Sequence, residues 1–259
     1  MRVLAVHPDV VVATSRVYQT TCTLVRRDDE AFCIDSPVLP DELELLPTIA
    51  QQSDFTVVGL LATHADWDHL LGRLAFRVPL GVAESTAQAL DADPGAAQRE
   101  LRDFDDEHYV SRPAPLALGT PQVLPVPGRC GLGSGELDLH PVGGHTSDGM
   151  AIWVPWARTL VVGDHLSPVE IPMLCEDEGA LDAYLLTLNR LEPLAERAET
   201  VVPGHGEPLD SERALAILRQ DREYLQALSA DGAAAPLPLA RRTDAQRRIH
   251  QRNAARAAA

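Results

Sequence analysis

Short apolar runs separated by turn residues dominate this chain and predict a β-rich protein with intervening helices. Near the amino terminus, runs at 10–13, 20–26 and 31–34, with a polar turn at 27–30, predict an antiparallel sheet. The later apolar runs predict strands at 55–61, 78–82, 136–142, 150–154, 159–162 and 201–202. The glycine-rich stretch 128–135 precedes an alternating strand rather than a helix, so we predict a hairpin turn there and not a phosphate-binding loop.

Helical periodicity is confined to a few segments between these strands. It predicts helices at 40–52, 85–90, 211–228 and, ending near Pro193, 181–191. Two β-rich halves with helices between them predict a sandwich of sheets within one domain, residues 1–229. Residues 230–259 carry six arginines against Asp231 and Asp244. We interpret them as a basic tail or helix, mobile or docked on the domain.

Composition narrows the classes of partner. The net charge of -16 disfavours nucleic acid and anionic membranes, because an acidic surface repels both. We therefore expect a small-molecule substrate, with a homodimer as one option for assembly.

The four cysteines form no Cys-x-x-Cys pair, which argues against a zinc knuckle or a redox dithiol. The sequence shows no signal-like amino terminus and no apolar run of membrane length, so we expect a cytoplasmic protein.

The segment 63–69, Thr-His-Ala-Asp-Trp-Asp-His, concentrates candidate metal ligands in one turn. His64, Asp66, Asp68 and His69 fall within six residues and follow the buried strand predicted at 55–61. Active sites of α/β folds form where strands end, and imidazole and carboxylate groups are ligands for zinc, iron or manganese. We therefore predict a metal site at this strand end.

Three further short motifs each place a candidate ligand beside glycine. They are Gly143-Gly144-His145-Thr146, Gly163-Asp164-His165 and Pro203-Gly204-His205-Gly206. Glycine lets the backbone approach an ion closely, and each motif lies where a predicted strand runs into a loop. We expect these side chains to project toward one edge of the sandwich, together with segment 63–69.

The order and spacing of these motifs resemble the metallo-β-lactamase superfamily, whose motif runs His-x-His-x-Asp-His, then His, then Asp, then His. The resemblance covers roughly residues 10–230. It implies that family's four-layer αββα sandwich, an α+β fold in which two β-sheets are flanked by helices and the metals lie at one edge. It also implies two divalent metal ions, with zinc as the leading candidate and iron or manganese as alternatives.

Carried over motif by motif, the resemblance implies two metal positions bridged by Asp164. The ligands of the first would be His64, residue 66 and His145, and those of the second Asp68, His69 and His205. Asp68 would also act in catalysis, orienting a metal-bridging hydroxide and shuttling its proton.

Position 66 departs from the family pattern, because Asp66 stands where the second histidine of the motif is expected. That histidine is thought to bind through Nδ1, which lies two bonds from Cβ, as does an aspartate oxygen, so Asp66 can reach the same metal. With Asp66, Asp68, Asp164 and a hydroxide facing two divalent ions, the ligand shell becomes neutral. Harder oxygen ligation and a less electrophilic site favour iron or manganese and weaken the attraction for anionic substrates.

Two neighbours of the candidate ligands have less specific interpretations. His165 is predicted to pack or hydrogen-bond behind the metal site, with a substrate contact as the alternative. Trp67 either shields the site or packs beneath the loop that carries it.

Together these residues favour a metal-dependent hydrolase in which a metal-bridged hydroxide attacks an ester, thioester, lactone or related small-molecule bond.

The first alternative is a di-iron redox protein, since the flavodiiron branch of the resembled superfamily has glutamate at the place of Asp66. The chain lacks that branch's flavodoxin domain, so a separate electron donor would be needed. The second alternative is a non-catalytic binding protein with this fold. A serine hydrolase is disfavoured because no Gly-x-Ser-x-Gly elbow is present.

Overall fold

Two β-sheets packed face to face, with helices on both outer sides, form the protein. The computed structural model describes residues 1–257. Apolar side chains from both sheets form one buried cluster in the space between the sheets. A second cluster lies between the first sheet and its helices, and a third lies between the second sheet and its helices. The four layers confirm the αββα sandwich predicted from the sequence.

The first sheet has seven strands that lie in the order in which they occur along the chain. They are β1 Arg2–His7, β2 Val10–Thr14, β3 Thr21–Arg27, β4 Glu30–Asp35, β5 Thr56–Leu61, β6 Leu80–Ala83 and β7 Gln122–Leu124. Pairing is antiparallel from β1 to β4 and parallel from β4 to β7. The carboxyl ends of β4, β5 and β6 therefore meet at one edge.

The second sheet has five strands in the order β12-β11-β10-β9-β8. They are β8 Gly128–Leu132, β9 Gly135–Pro141, β10 Met150–Val154, β11 Thr159–Val161 and β12 Thr200–Val202. Pairing is antiparallel except between β11 and β12. As a result β9, β11 and β12 run in the same direction, and the three glycine-flanked motifs follow their carboxyl ends.

Seven α-helices cover the two sheets within the described residues. They are α1 Pro40–Gln52, α2 Gly72–Ala75, α3 Glu84–Ala92, α4 Ala96–His108, α5 Ala180–Arg197, α6 Ser211–Asp231 and α7 Asp244–Ala257. Buried residues of α1, α3 and α4 pack on the first sheet, and those of α5, α6 and α7 pack on the second. None of these helices combines the length and apolar character needed to cross a bilayer.

Several elements differ from the sequence prediction, among them the short helix α2, which was not predicted. Strand β1 and helix α4 were not predicted: β1 is a mostly exposed edge strand, and α4 buries only Ala97, Leu101 and Phe104 in an otherwise polar segment. Helix α5 does not end near Pro193 but continues to Arg197, because buried Leu194 and Ala195 keep its last turns packed on the core. The predicted hairpin exists, with its turn confined to 133–134 between β8 and β9.

The chain beyond α6 lies on the helices of the second sheet. Ile249 and Ala254 of α7 are buried in the same core cluster as α5 and α6. The side chains of Gln246 and Asn253 accept hydrogen bonds from the backbone of Ile171 and Leu174 at 2.7 and 3.0 Å. This carboxyl-terminal segment therefore contacts the connection 162–179, which runs from β11 to α5.

Candidate metal centre

Four loops at one edge of the sandwich bring the predicted ligand residues together. The loop after β5 carries His64 and Asp66, and a single 3₁₀ turn, Trp67–His69, carries Asp68 and His69. The loops after β9, β11 and β12 carry His145, Asp164 and His205 respectively. All seven side chains are mostly buried except that of Asp66, which is 37% exposed.

Asp164 lies at the centre of this cluster. Its Oδ1 is 3.1 Å from Nε2 of His69, and its Oδ2 is 3.1 Å from Nε2 of both His145 and His205. Nε2 of His64 is 3.8 Å from Oδ2. One carboxylate thus faces imidazoles from both predicted metal positions, as a bridging ligand would.

The ligand atoms divide into two groups, in each of which all atoms lie within 4.8 Å of one another. The first group is His64, Asp66, His145 and Asp164, and the second is Asp68, His69 and His205. Asp66 reaches the first group, because its Oδ2 is 3.3 Å from Nε2 of His145 and 3.5 Å from Nε2 of His64. The aspartate that replaces the expected histidine is therefore placed to act as a ligand.

Hydrogen bonds behind the cluster orient three of the imidazole rings. Nδ1 of His69 is 3.0 Å from the Asp35 carboxylate, and Nδ1 of His205 is 2.9 Å from the Tyr18 carbonyl oxygen. Nδ1 of His64 is 3.0 Å from the hydroxyl of Thr63. Because Nδ1 is engaged behind the cluster, Nε2 of each ring is directed into it.

The buried polar atoms of the cluster fit a metal ion. Across residues 1–257, Nε2 of His64, Nε2 of His69 and Oδ1 of Asp164 are buried without a hydrogen-bond partner. Such atoms are costly to bury unless something satisfies them, and imidazole nitrogens facing carboxylates are the donor set of zinc, iron and manganese sites. Gly204 keeps this space open, since a Cβ at its position would lie 2.0 Å from Oδ1 of Asp164.

Carboxylates dominate the electrostatics of the cluster in the absence of a cation. Burial lowers the pKa of His205, but Asp164 and Glu170 outweigh it and raise the pKa to about 10. The pKa of His69 and that of His145 are also raised, chiefly by Asp164 against the effect of burial. These imidazoles therefore hold protons that a divalent ion must displace.

His165 and Trp67 both lie beside the cluster. The ring nitrogens of His165 are 3.2 Å from the carbonyl oxygen of Val162 and 3.4 Å from that of Gly143, and burial lowers its pKa to about 4. The neutral ring carries one N–H and therefore donates to one of these carbonyl oxygens, and it lies between the loops that carry His145 and Asp164. The Trp67 ring packs on Phe104 of α4, with centroids 5.0 Å apart.

Asp35 is a site residue that the sequence reasoning missed. It ends β4 with a φ of 56°, and besides contacting His69 it accepts hydrogen bonds from the backbone N–H and the hydroxyl of Thr63, at 2.8 and 2.9 Å. The available signal was its position, because an aspartate directly after a buried strand points to the same sheet edge as segment 63–69.

Two further acidic residues, Asp148 and Glu170, also lie at the site. Asp148 is buried and accepts a hydrogen bond from the Ala65 N–H at 3.0 Å, which joins the loop after β9 to segment 63–69. Glu170 forms a third group of possible ligands with Asp164 and His205. The only sequence signal for Glu170 is its proximity to the Gly163-Asp164 motif.

Comparison with known proteins identifies the family. Residues 15–205 match the family model described as the Metallo-beta-lactamase superfamily. The chain belongs to this superfamily. The match confirms the resemblance read from the four motifs. No curated protein matches the chain in sequence.

Solved structures with the same fold come from this superfamily and are distant in sequence. A metallo-beta-lactamase from Pontibacter korlensis is 23% identical with a TM-score of 0.58, covering 84% of this chain and 98% of its own. The sec-alkylsulfatase Pisa1 from Pseudomonas sp. is 16% identical with a TM-score of 0.74, covering 98% of this chain and 49% of its own. A beta-lactamase domain protein from Burkholderia ambifaria is 18% identical with a TM-score of 0.65, covering 98% and 85% respectively. At these identities the likeness concerns the fold.

Proposed function

We propose that this superfamily member is a metal-dependent hydrolase that cleaves an ester, thioester, lactone or related bond in a small molecule. The observation that carries the proposal is the cluster of four imidazoles and three carboxylates around Asp164, divided into two groups that each offer enough ligands for one ion. Bound divalent ions would acidify a water molecule and polarise the scissile bond. This site would hold two of them, with zinc as the first candidate.

Asp68 is the residue we assign to proton transfer. Its side chain is 11% exposed, and Oδ2 is 3.6 Å from Nε2 of His205 and 3.2 Å from the Thr20 hydroxyl, which can donate a hydrogen bond to it. A carboxylate fixed in this way beside the second ligand group can orient an attacking water and accept its proton. It can then pass that proton to the leaving group.

Aromatic side chains border the site on the side of α4. Trp67, Phe104 and Tyr18 pack against one another, with the Trp67 centroid 5.0 Å from that of Phe104 and 6.4 Å from that of Tyr18. Tyr18 is 48% exposed. These rings offer an apolar surface for the uncharged part of a substrate and limit water access.

The negative charge of the carboxylates in the cluster affects which substrates can bind. Asp66 adds a negative charge that a histidine would not carry, and Glu170 adds another within 4.8 Å of Asp164 and His205. Anionic substrates, such as sulfate esters, would meet this charge at the scissile bond. We therefore propose that the bond cleaved lies in an uncharged or cationic group.

A di-iron redox protein is the second candidate, and Asp66 is the observation that favours it. A carboxylate Oδ2 only 3.3 Å from Nε2 of His145 makes the first group richer in oxygen, which suits iron. An electron donor from outside this chain would then be required.

Metal analysis and turnover of the same sample separate these candidates. The protein is purified without added metal, stripped with a chelator, reloaded with zinc, manganese or iron, and tested on neutral esters, thioesters and lactones. The hydrolase proposal predicts turnover that returns with metal and falls by about 10²–10⁴-fold in Asp68→Asn, with Asp29→Asn as an exposed control. Iron content with an oxygen-dependent spectrum and no hydrolysis on any of these substrates would contradict it.

A further inference from the structure

Glu170 places a carboxylate beside the metal centre from a part of the chain that carries none of the motif ligands. It lies in the connection between β11 and α5, six residues after Asp164. One of its carboxylate oxygens lies within 4.8 Å of ligand atoms of both Asp164 and His205. Asp164 belongs to the first group but faces imidazoles of both groups at 3.1 Å. His205 belongs to the second group, so Glu170 borders the second metal position.

The backbone around Glu170 is held firmly, and the hydrogen bonds that hold it leave the side chain free. The Glu170 N–H donates to the Ser167 hydroxyl at 3.0 Å, and that hydroxyl donates to the His205 carbonyl oxygen at 2.8 Å. The carbonyl oxygen of Glu170 accepts a hydrogen bond from buried Arg241 at 2.7 Å. Glu170 is therefore tied through its backbone both to His205 and to the carboxyl-terminal segment.

No arginine of the described chain pairs with the carboxylate, and the basic group beside it is the predicted metal ligand His205. Among residues 1–257, no hydrogen bond or ion pair to the Glu170 carboxylate is found, although the side chain is more than half buried. Within Glu170, Arg241 contacts the carbonyl oxygen and not the carboxylate. The guanidinium forms an ion pair with the Asp221 carboxylate at 2.6 Å. A shielded carboxylate without a partner is unfavourable unless a cation compensates it.

Two unpartnered atoms in the same space point to that cation. Nε2 of His69 and Oδ1 of Asp164 are buried, lie 3.1 Å apart and have no well-aligned hydrogen bond within the described chain. Asp164 groups with Glu170 and His205, and His69 groups with Asp68 and His205, so both atoms belong to residues that neighbour the second metal position. A metal ion there would satisfy these atoms and the carboxylate together.

We propose that Glu170 is an additional ligand of the second metal position, beside Asp68, His69 and His205. The inference rests on the metal centre of the proposed function and extends it by one residue. With Glu170 included, Asp66, Asp68, Asp164 and Glu170 bring four negative charges to two divalent ions. The loaded centre is then neutral before any water or substrate binds, which strengthens the expectation of uncharged or cationic substrates.

Metal titration of the stripped full-length protein tests the assignment without an activity assay. Co²⁺ is the probe, because its visible spectrum reports the ligand set and its binding isotherm resolves the two sites. We expect two Co²⁺ per chain in the unmodified protein. In Glu170→Gln the weaker of the two binding steps should lose at least about tenfold in affinity and change its spectrum, with the other step nearly unchanged.

Two further variants complete the design. Glu170→Asp keeps the charge on a shorter side chain, so it should also lose affinity if the carboxylate must touch the ion. Glu178→Gln makes the same chemical change at an exposed position of the same connection and should bind as the unmodified protein does. Circular dichroism of each stripped variant shows that the fold is retained.

Two outcomes overturn the inference in distinguishable ways. If the unmodified protein binds two Co²⁺ and Glu170→Gln binds both within twofold of the same affinities, Glu170 is not a ligand and the proposed function stands. If the unmodified protein binds no Co²⁺, the metal centre itself is wrong and the inference falls with it.

Discussion

At the residue scale, Asp164 connects the two ligand groups of the candidate site. It contacts imidazoles from both ligand groups at 3.1 Å, and the space it occupies exists because position 204 has no side chain. No other residue of the cluster faces both groups so closely. The loss of its charge should therefore affect both ions.

Asp164→Asn should bind neither ion at the affinity of the unmodified protein. Removing the shared negative charge leaves the imidazoles of both groups without their main counter-charge and removes one ligand from each. Metal content after dialysis at micromolar metal, measured by elemental analysis, should fall from two equivalents to fewer than one. Asp29→Asn, at an exposed turn, is the matched control, and full metal retention in Asp164→Asn would show that this carboxylate does not bridge.

Asp66→His should shift metal preference toward zinc. The substitution restores a nitrogen ligand and removes one negative charge from a group that already contains His64 and His145. Competition between Zn²⁺ and Mn²⁺ for the stripped protein should favour zinc more in the variant than in the unmodified chain. Identical competition curves would show that Asp66 is not a ligand.

The motif ligands could be located from the sequence, whereas the contacts that Asp35 and Glu170 make with them could not. The motif residues are marked by their clustering or by neighbouring glycine, which are local signals. Asp35 reaches His69 only because β4 lies beside β5, and Glu170 reaches the site only through the path of the connection after β11. Those contacts depend on tertiary structure, which periodicity does not encode.

At the scale of elements, the carboxyl-terminal segment packs on the helices that cover the second sheet and stabilises them. Arg241 and Asp221 are each 1% exposed and form an ion pair at 2.6 Å between this segment and α6. Arg241 also donates to the carbonyl oxygens of Ser167 and Glu170. One buried guanidinium thus connects α6, the carboxyl-terminal segment and the loop that carries Glu170.

Arg241→Ala should destabilise the protein by about 1–3 kcal/mol, because it removes the buried hydrogen bonds of the guanidinium to Asp221 and to two carbonyl oxygens. Burial already raises the pKa of Asp221 to about 7 against the opposing effect of Arg241, so the variant should hold that carboxyl protonated at neutral pH. Urea unfolding at pH 7 measures the loss. Arg242→Ala, at the exposed neighbouring position, should change stability by less than about 0.5 kcal/mol. A similar small effect in both variants would contradict a structural role for the ion pair.

Element prediction succeeded where apolar spacing was strong and failed where tertiary packing decided the outcome. Strands β2 and β10 follow clearly from apolar runs, since both faces of these strands are buried. The exposed edge strand β1 and the polar helix α4 give weak patterns. In α5, packing of the last turns outweighs the breaking effect of Pro193.

At the scale of the whole molecule, each metal position combines ligands from loops of both sheets. Segment 63–69 follows the first sheet, while the loops with His145, Asp164 and His205 follow the second. Ions bound between them would cross-link the two sheets. Metal binding and folding stability are therefore expected to be linked.

Metal loading should raise the thermal unfolding midpoint, because the ions bind the folded chain and not the unfolded one. At a free metal concentration 100 times the dissociation constant, one site contributes about 2.7 kcal/mol. Differential scanning calorimetry of stripped and reloaded protein measures the shift, and Asp164→Asn should show a much smaller one. Equal midpoints with and without metal in the unmodified protein would argue against a cross-linking centre.

Metal affinity should increase with pH between 6 and 8. The pKa of His205 is raised to about 10 by nearby carboxylates, against the effect of burial, so this imidazole carries a proton that binding must release. Calorimetric titration in buffers of different ionisation enthalpy should show proton release upon binding. Binding without proton release would mean that the imidazoles are not the ligands.

The most direct test of the metal centre is a crystal structure of the metal-loaded protein with anomalous data at the absorption edge of the bound metal. Two anomalous peaks should lie on either side of the Asp164 carboxylate, one beside His64, Asp66 and His145, the other beside Asp68, His69 and His205. The absence of any peak at this edge of the sandwich in fully loaded protein would contradict the account.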